Sequence, residues 1–211
     1  FSNLLLDHNY TDADKLEFTK LIRSNGEVLI NLINDIIDIS MIESGNFELN
    51  YEDVNLKDLI IEAVNSLMLI AENKNIAIDM ELINTNINSD KKVLTQILYN
   101  LLSNALKFTP EAGKIKIKLE AKNNELIVSI EDTGIGIDAE NLDIIFEKFK
   151  QIDSSYKRKQ QGVGLGLSIT KKLIKLLEGD IYVKSVKGEG SCFWFVLPNN
   201  KGKVSNPTEY I

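Results

Sequence analysis

One cysteine, one histidine, one tryptophan and three prolines are all that the 211 residues hold of these types. A lone Cys192 excludes an intrachain disulfide framework and any zinc site built from several cysteines, and it fits a reducing compartment. A lone His8 leaves no material for a histidine-rich metal cluster. No apolar run approaches the ~20 residues that cross a bilayer, and no charged n-region followed by an apolar h-region opens the chain. The chain is therefore expected to be soluble and cytoplasmic, or the soluble part of a membrane-bound protein. Basic residues are also in deficit: 24 Lys and Arg against 31 Asp and Glu leave a net charge of −7. That is the reverse of the basic face of a nucleic-acid binder, so no nucleic-acid partner is expected. An anionic ligand has to be held by local groups, because the global field repels it. What is plentiful suffices for a core, with 44% hydrophobic and 26% charged residues, which excludes a disordered or fibrous chain.

From Asp12 to Ser44 there is no proline and a single glycine, and apolar residues recur at Phe18, Leu21, Ile22, Val28, Leu29, Leu32, Ile33, Ile36, Ile37 and Met41. That is the three-or-four spacing of one helical stripe. Thr11 or Asp12 can cap its start and Gly45 its end. Such a helix is ~48 Å long and outruns a small core, so its stripe is expected to be buried in a bundle, by a hairpin partner or a second chain. Phe1–Asp7 reads as the end of an earlier helix, with a turn at residues 8–11. Residues 46–54 read as a linker containing a short extended stretch. Beyond them the pattern is mixed: helix over Leu56–Glu72, strand over Ile76–Leu82, and helix over Lys91–Phe108, stopped by Pro110. The alternating runs Lys114–Glu120 and Glu125–Glu131, joined by Asn123-Asn124, predict a hairpin. Asp138–Phe146 and Leu165–Leu177 read as helices, and Ile181–Ser185 with Cys192–Leu197 as a closing strand pair. The order predicts an α+β fold, a two-layer sandwich with helices on one face of a mostly antiparallel sheet, over residues 55–198. Residues 199–211 read as a tail or linker.

Four Gly-x-Gly pairs fall in three clusters: Asp132-Thr133-Gly134-Ile135-Gly136, Gly162-Val163-Gly164-Leu165-Gly166, and Gly188-Glu189-Gly190. The middle one runs into a helix starting near Leu167. Bare amides there could meet an anion at the helix N-terminus, or the loop could simply need positive φ. The polar run 148–161 before it, rich in Lys and Arg, reads as a lid or as an ordinary solvated loop. Asp132 ends a strand whose Val128 and Ile130 share a face. Its carboxylate could accept from an amino group such as that of adenine, or could form the turn before glycine. Asn100, Asn104, Lys107 and Phe108 fall on roughly one face of their helix. Amide oxygens suit a hard cation such as Mg²⁺, although an Asn pair at that spacing also arises by chance.

In order, these segments resemble the catalytic ATP-binding domain of sensor histidine kinases, within the GHKL superfamily and its Bergerat nucleotide fold. QILYNLLSNALKFT (96–109) looks like the N box, EDTGIGI (131–137) the G1 box, IFEKFKQID (145–153) the F box, GVGLGLSI (162–169) the G2 box, and GEGSCFWFVLP (188–198) the final glycine turn and strand. LINDIIDISMIESG (32–45) resembles the second helix of the dimerisation and phosphotransfer hairpin, so residues 1–45 are expected to be the end of that hairpin. FKQIDSS (149–155) is similar to hybrid kinases that pass phosphate to a receiver domain. The resemblance implies ATP and Mg²⁺ as ligands. It makes Asp132 the reader of the adenine amino group, Asn100 and Asn104 the holders of Mg²⁺ and phosphates, Lys107 a phosphate contact and Phe108 a wall of the base pocket. Gly134, Gly136, Gly162, Gly164, Gly166 and Leu167 would shape the binding loops, and Arg158 would reach the γ-phosphate side. Gln161 and Val163 stand where Gly and Thr are usual.

The phosphoacceptor pattern His-Glu-x-x-x-x-Pro is missing, and His8 reads as a turn residue. The expectation is a histidine kinase core whose acceptor histidine lies upstream of Phe1, within a further 20 or so residues that would complete the hairpin. A homodimer through that hairpin and a response-regulator receiver domain are the implied partners. The alternative is a GHKL module that binds nucleotide to control assembly without phosphorylating anything.

Overall fold

The computed structural model describes residues 4–6, 10–150 and 164–199. The chain divides into two compact units, residues 1–47 and residues 48–211. The first is built on α1 (Asp12–Glu43). Thr11 and Asp14 close a capping box: the Thr11 hydroxyl accepts the Asp14 N–H at 3.2 Å, and the Asp14 carboxylate accepts the Thr11 N–H at 2.9 Å. The Thr11 hydroxyl, which also donates to that carboxylate at 2.6 Å, and the Thr11 N–H hold the Asp14 carboxyl below its usual pKa, and an acid in the first turn also suits the helix dipole. Gly45, at φ +72°, ends the helix as expected. Leu29, Ile33, Ile36 and Ile37 are about half exposed in the single chain. Ahead of α1, where a helical end was expected, Leu4–Leu6 form one 3-10 turn, a common short connector.

The second unit is an α+β two-layer sandwich. Its elements are β1 (Glu52–Asn55), α2 (Leu56–Asn73), β2 (Ala77–Leu82), β3 (Asn86–Ser89), α3 (Lys91–Phe108), β4 (Lys114–Lys122), β5 (Glu125–Asp132), α4 (Gly166–Leu176), β6 (Asp180–Val186) and β7 (Gly190–Pro198). The main sheet runs β2-β4-β5-β7-β6, and β1 and β3 form a separate antiparallel pair. Alternation supplies its buried face: Ile115, Ile117 and Leu119 of β4, Leu126, Val128 and Ile130 of β5, and Phe195 and Leu197 of β7 are at most 1% exposed. The helices contribute Leu56, Ile60, Leu94, Ile97, Leu98, Ile169 and Leu173 to the same core. Every other strand residue is wetter, as in a sheet covered on one side. The β4–β5 hairpin turns at Asn123 and Asn124, with φ of +51° and +64°, the doubly left-handed turn that asparagine tolerates.

Three features depart from the sequence pattern. β2 pairs with β4 in parallel while the other neighbours are antiparallel; alternation sets which face is buried but carries no direction. Residues 52–54, expected as linker, belong to β1, which meets β3 in an Asn-rich stretch whose Ile87 and Ser89 are buried. The expected helix Asp138–Phe146 is instead two 3-10 turns, Ala139–Asn141 and Ile144–Phe146. Only Ile145 in these turns is buried, so no stripe sustains a helix, and Asp138 caps nothing but binds the Lys187 ammonium at 2.6 Å.

Asp90 fixes the start of α3. Its Oδ1 accepts the N–H groups of Lys92 at 2.9 Å and Val93 at 3.1 Å, and its Oδ2 accepts the Asn50 N–H at 2.8 Å. The residue is 6% exposed, so its removal strands donors away from water. Asp90→Ala is expected to cost ~2–3 kcal/mol in urea unfolding, a cap plus a buried bond. A loss below about 0.5 kcal/mol, the scale of an ordinary surface change, would contradict this role.

Candidate functional site

Asp132 continues the buried alternation Leu126, Val128, Ile130, so its side chain faces the helices and is 6% exposed. Burial raises its pKa above the usual carboxylate value; the backbone N–H groups of Gly134 and Ser191 pull it back, and the charge on Glu131 pushes it further up. The Gly134 N–H donates to Oδ1 at 2.8 Å. A carboxylate compensated by two amides and set in an apolar wall keeps strong acceptor capacity for a ligand.

The glycines around it answer to close approaches. A Cβ at Gly190, at φ +120°, would overlap the Asp132 carbonyl, and one at Gly134 would stand 2.7 Å from the Phe108 carbonyl oxygen. The loop after Asp132 is tied on several sides. Thr133 N–H donates to the Lys114 carbonyl at 3.0 Å, Ile135 N–H to that of Phe108 at 3.3 Å, and Gly188 N–H to that of Ile135 at 2.8 Å. Ile137 N–H donates to the Ser185 hydroxyl at 2.8 Å, and Ser185 also meets Ser191 Oγ at 3.0 Å.

α3 buries Leu94, Ile97, Leu98, Leu101 and Leu102, which leaves Asn100, Asn104 and Lys107 half-buried beside the core and Phe108 at 41% exposure. Burial lowers the Lys107 pKa, and its ammonium lies 5.1 Å from the centre of the Phe108 ring. The Asn100 amide nitrogen donates to the Gly166 carbonyl and the Thr170 hydroxyl, both at 3.4 Å. Those two acceptors turn the nitrogen toward α4 and leave Oδ1 as an acceptor for another group. No group of three or more His, Cys, Asp or Glu that could hold a metal occurs among the described residues. A cation here would thus rely on the amide oxygens of Asn100 and Asn104, with ligand oxygens and water completing an octahedron, a donor set that fits Mg²⁺.

α4 opens at Gly166 without a side-chain cap on its N-terminal amides, which leaves donors and the positive end of the dipole for an anion. Leu167 sits in this first turn, half-buried. Gly164, at φ +77°, accepts the Phe149 N–H at 3.0 Å on its carbonyl, and a Cβ on it would stand 2.7 Å from the Lys150 carbonyl oxygen.

The fold therefore brings Asp132 and Gly134 to the end of α3 at Phe108, sets Gly136, at φ +64°, against the backbone of Val186 and Lys187, and brings Asn100 to Gly166 of α4. Arg158, Gln161, Gly162 and Val163, most of the 148–161 run, and His8 lie outside the described residues. Ser191 and Thr170 were not singled out from sequence. Ser191 becomes legible once the β5–β7 register sets it opposite Asp132; a lone buried threonine on α4 carries no sequence signal.

Residues 89–201 match the family model described as "Histidine kinase-, DNA gyrase B-, and HSP90-like ATPase". The chain is 39% identical over 208 residues to the autoinducer 2 sensor kinase/phosphatase LuxQ of Vibrio vulnificus, covering 94% of this chain and 24% of that protein. It thus spans about a quarter of the length of that curated relative. Among solved structures it resembles full-length ShkA in complex with AMPPNP, with a TM-score of 0.77, 30% identity, and coverage of 92% of this chain and 41% of that one. It also resembles the histidine kinase ThkA in complex with the response regulator TrrA, with a TM-score of 0.69, 27% identity, and coverage of 92% and 54%. The chain belongs to the histidine kinase-, DNA gyrase B- and HSP90-like ATPase family, and its relatives within that family are sensor histidine kinases.

Proposed function

We propose that the chain binds ATP with Mg²⁺ and presents the γ-phosphoryl group to a histidine outside these 211 residues, from which it passes to a receiver aspartate. The observation that carries this is Asp132, a buried carboxylate compensated by backbone amides and, among the described residues, by no cation. Its oxygens would accept the exocyclic amino group of adenine, with Gly134 letting the base approach and Phe108 flanking it. Lys107 and Arg158 would meet phosphate oxygens, and Gly162, Gly164, Gly166 and Leu167 would place the N-terminal amides of α4 against them. Asn100 and Asn104 would hold the metal, which when bound supplies charge neutralisation to the phosphates.

Transfer of this kind asks for positioning and charge stabilisation more than for a base. An amide such as Asn100 cannot deprotonate water, so bound ATP is spared hydrolysis until a histidine attacks it. The stripe of α1, half exposed in the single chain, suits a homodimer in which two such helices share a bundle core. ThkA is seen with a response regulator, which supports a receiver domain as the acceptor here. No helix of the described residues is long and apolar enough to cross a membrane; a cytoplasmic site of action fits a kinase that uses ATP.

Asp132→Asn is expected to weaken ATP binding by ~1.5–3 kcal/mol, the scale of a hydrogen bond to a charged group, with the fold retained. Calorimetry reads it, and an unchanged affinity in the folded variant refutes the assignment. With γ-labelled ATP, the 211-residue chain should stay unlabelled, while a form extended upstream through the acceptor histidine should gain acid-labile, base-stable label. Label on the 211 residues that disappears in His8→Ala would make His8 the acceptor instead.

A further inference from the structure

The end of α3 poses a hydrogen-bonding problem that its own backbone cannot solve. The last four carbonyls of a helix, here those of Ala105, Leu106, Lys107 and Phe108, have no partner within it. Thr109 serves Ala105 twice, with its N–H at 3.0 Å and its hydroxyl at 2.6 Å. Ile135 serves Phe108 with its N–H at 3.3 Å. A continuing helix would satisfy Leu106 from position 110, but that residue is Pro110 and has no N–H to give.

Lys74 fills the gap. Its ammonium donates to the carbonyls of Leu106 at 2.6 Å, Lys107 at 3.2 Å and Thr109 at 2.7 Å. Three N–H donors meet three acceptors, and a cation at a helix C-terminus is favoured by the dipole. The backbone delivers the side chain to this point. α2 ends at Asn73, Asn75 turns the chain back at φ +51°, and Ile76 N–H returns to the Ala71 carbonyl at 2.9 Å. The Lys74 carbonyl in turn accepts the Ala112 N–H at 2.9 Å, so the residue is tied by main chain and side chain to the segment that follows α3. Burial disfavours the charge on Lys74, and the nearby Glu111 favours it.

An ordinary cap would stabilise a helix and nothing more. The turn that Lys74 holds carries Lys107 and Phe108, and the Phe108 carbonyl anchors Ile135 in the loop that leaves Asp132. We propose that Lys74 is a positioning residue for nucleotide binding, which fixes the last turn of α3 and, through Phe108, the Asp132–Gly136 loop. The inference rests on the nucleotide reading of this site. Its loss should be felt in ligand affinity while the chain stays folded, because the core faces of α2, α3 and the sheet are untouched.

Lys74→Met keeps most of the stem and removes the donors. In the 211-residue chain, the dissociation constant for ATP with Mg²⁺ is expected to rise about tenfold, as for loss of charge-assisted bonds, and amide exchange at Thr109 and Ile135 to accelerate by at least as much. Adding Pro110→Ala frees Thr109, extended at ψ +128° ahead of the proline, to continue the helix and offer Leu106 an N–H, and should bring back part of both. A folded Lys74→Met with unchanged affinity and unchanged exchange overturns the proposal. So does global unfolding of the variant, since Lys74 would then be scaffold rather than local support. If the parent chain itself fails to bind ATP, the reading of the site falls, while exchange at Thr109 and Ile135 still decides what Lys74 holds.

Discussion

A carboxylate buried against backbone amides is the constraint around which the second unit is arranged. Stripping water from Asp132 disfavours its charge, as the upward shift of its pKa records, and only fixed donors can offset that. The donors are main-chain amides of Gly134 and Ser191, so the loop after β5 and the start of β7 must both crowd the side chain. That crowding is why Gly134 and Gly190 cannot carry a Cβ without displacing the Phe108 and Asp132 carbonyls. The result is an acceptor held in place before any ligand arrives, with its partners set by backbone rather than by mobile side chains.

α3 connects this point to the rest of the unit. One side of it is core, where Leu94, Ile97 and Leu98 are fully buried. The row beside that core carries Asn100, Asn104 and Lys107. Asp90 grips its first turn and Lys74 its last, so the helix is hydrogen-bonded to its surroundings at both ends as well as packed along its length. A helix secured in this way can hold amide and ammonium groups at fixed spacing, which is what charge stabilisation of a polyphosphate asks of a protein. Asn100 reaches across to Gly166 and Thr170, which sets the uncapped start of α4 beside the same row.

Much of this was legible in the sequence, and the parts that were not have a common cause. Helical spacing located α1, α2, α3 and α4 to within a residue or two, and Asn123-Asn124 located the hairpin, because these signals are local. Alternation also placed Asp132 on the face of Val128 and Ile130. The direction of β2 against β4, the pairing of β1 with the Asn-rich β3, and the collapse of residues 138–146 into 3-10 turns depend on contacts between distant segments. The same holds for the site. Asn100, Asn104, Lys107, Phe108, Asp132 and the glycines stand in recognisable strings, whereas Lys74 and Thr170 are single residues whose partners lie about 30 to 70 positions away, and no spacing rule reaches that far.

The proposed pairing of Asp132 with the amino group of adenine can be measured by a two-by-two comparison. Affinities of ATP and of its analogue lacking the 6-amino group would be measured for the parent chain and for Asp132→Ala. Losing the amino group should cost the parent chain ~1.5–3 kcal/mol and cost Asp132→Ala almost nothing, because the bond is already gone. An equal penalty in both proteins would contradict that pairing and place the amino group elsewhere.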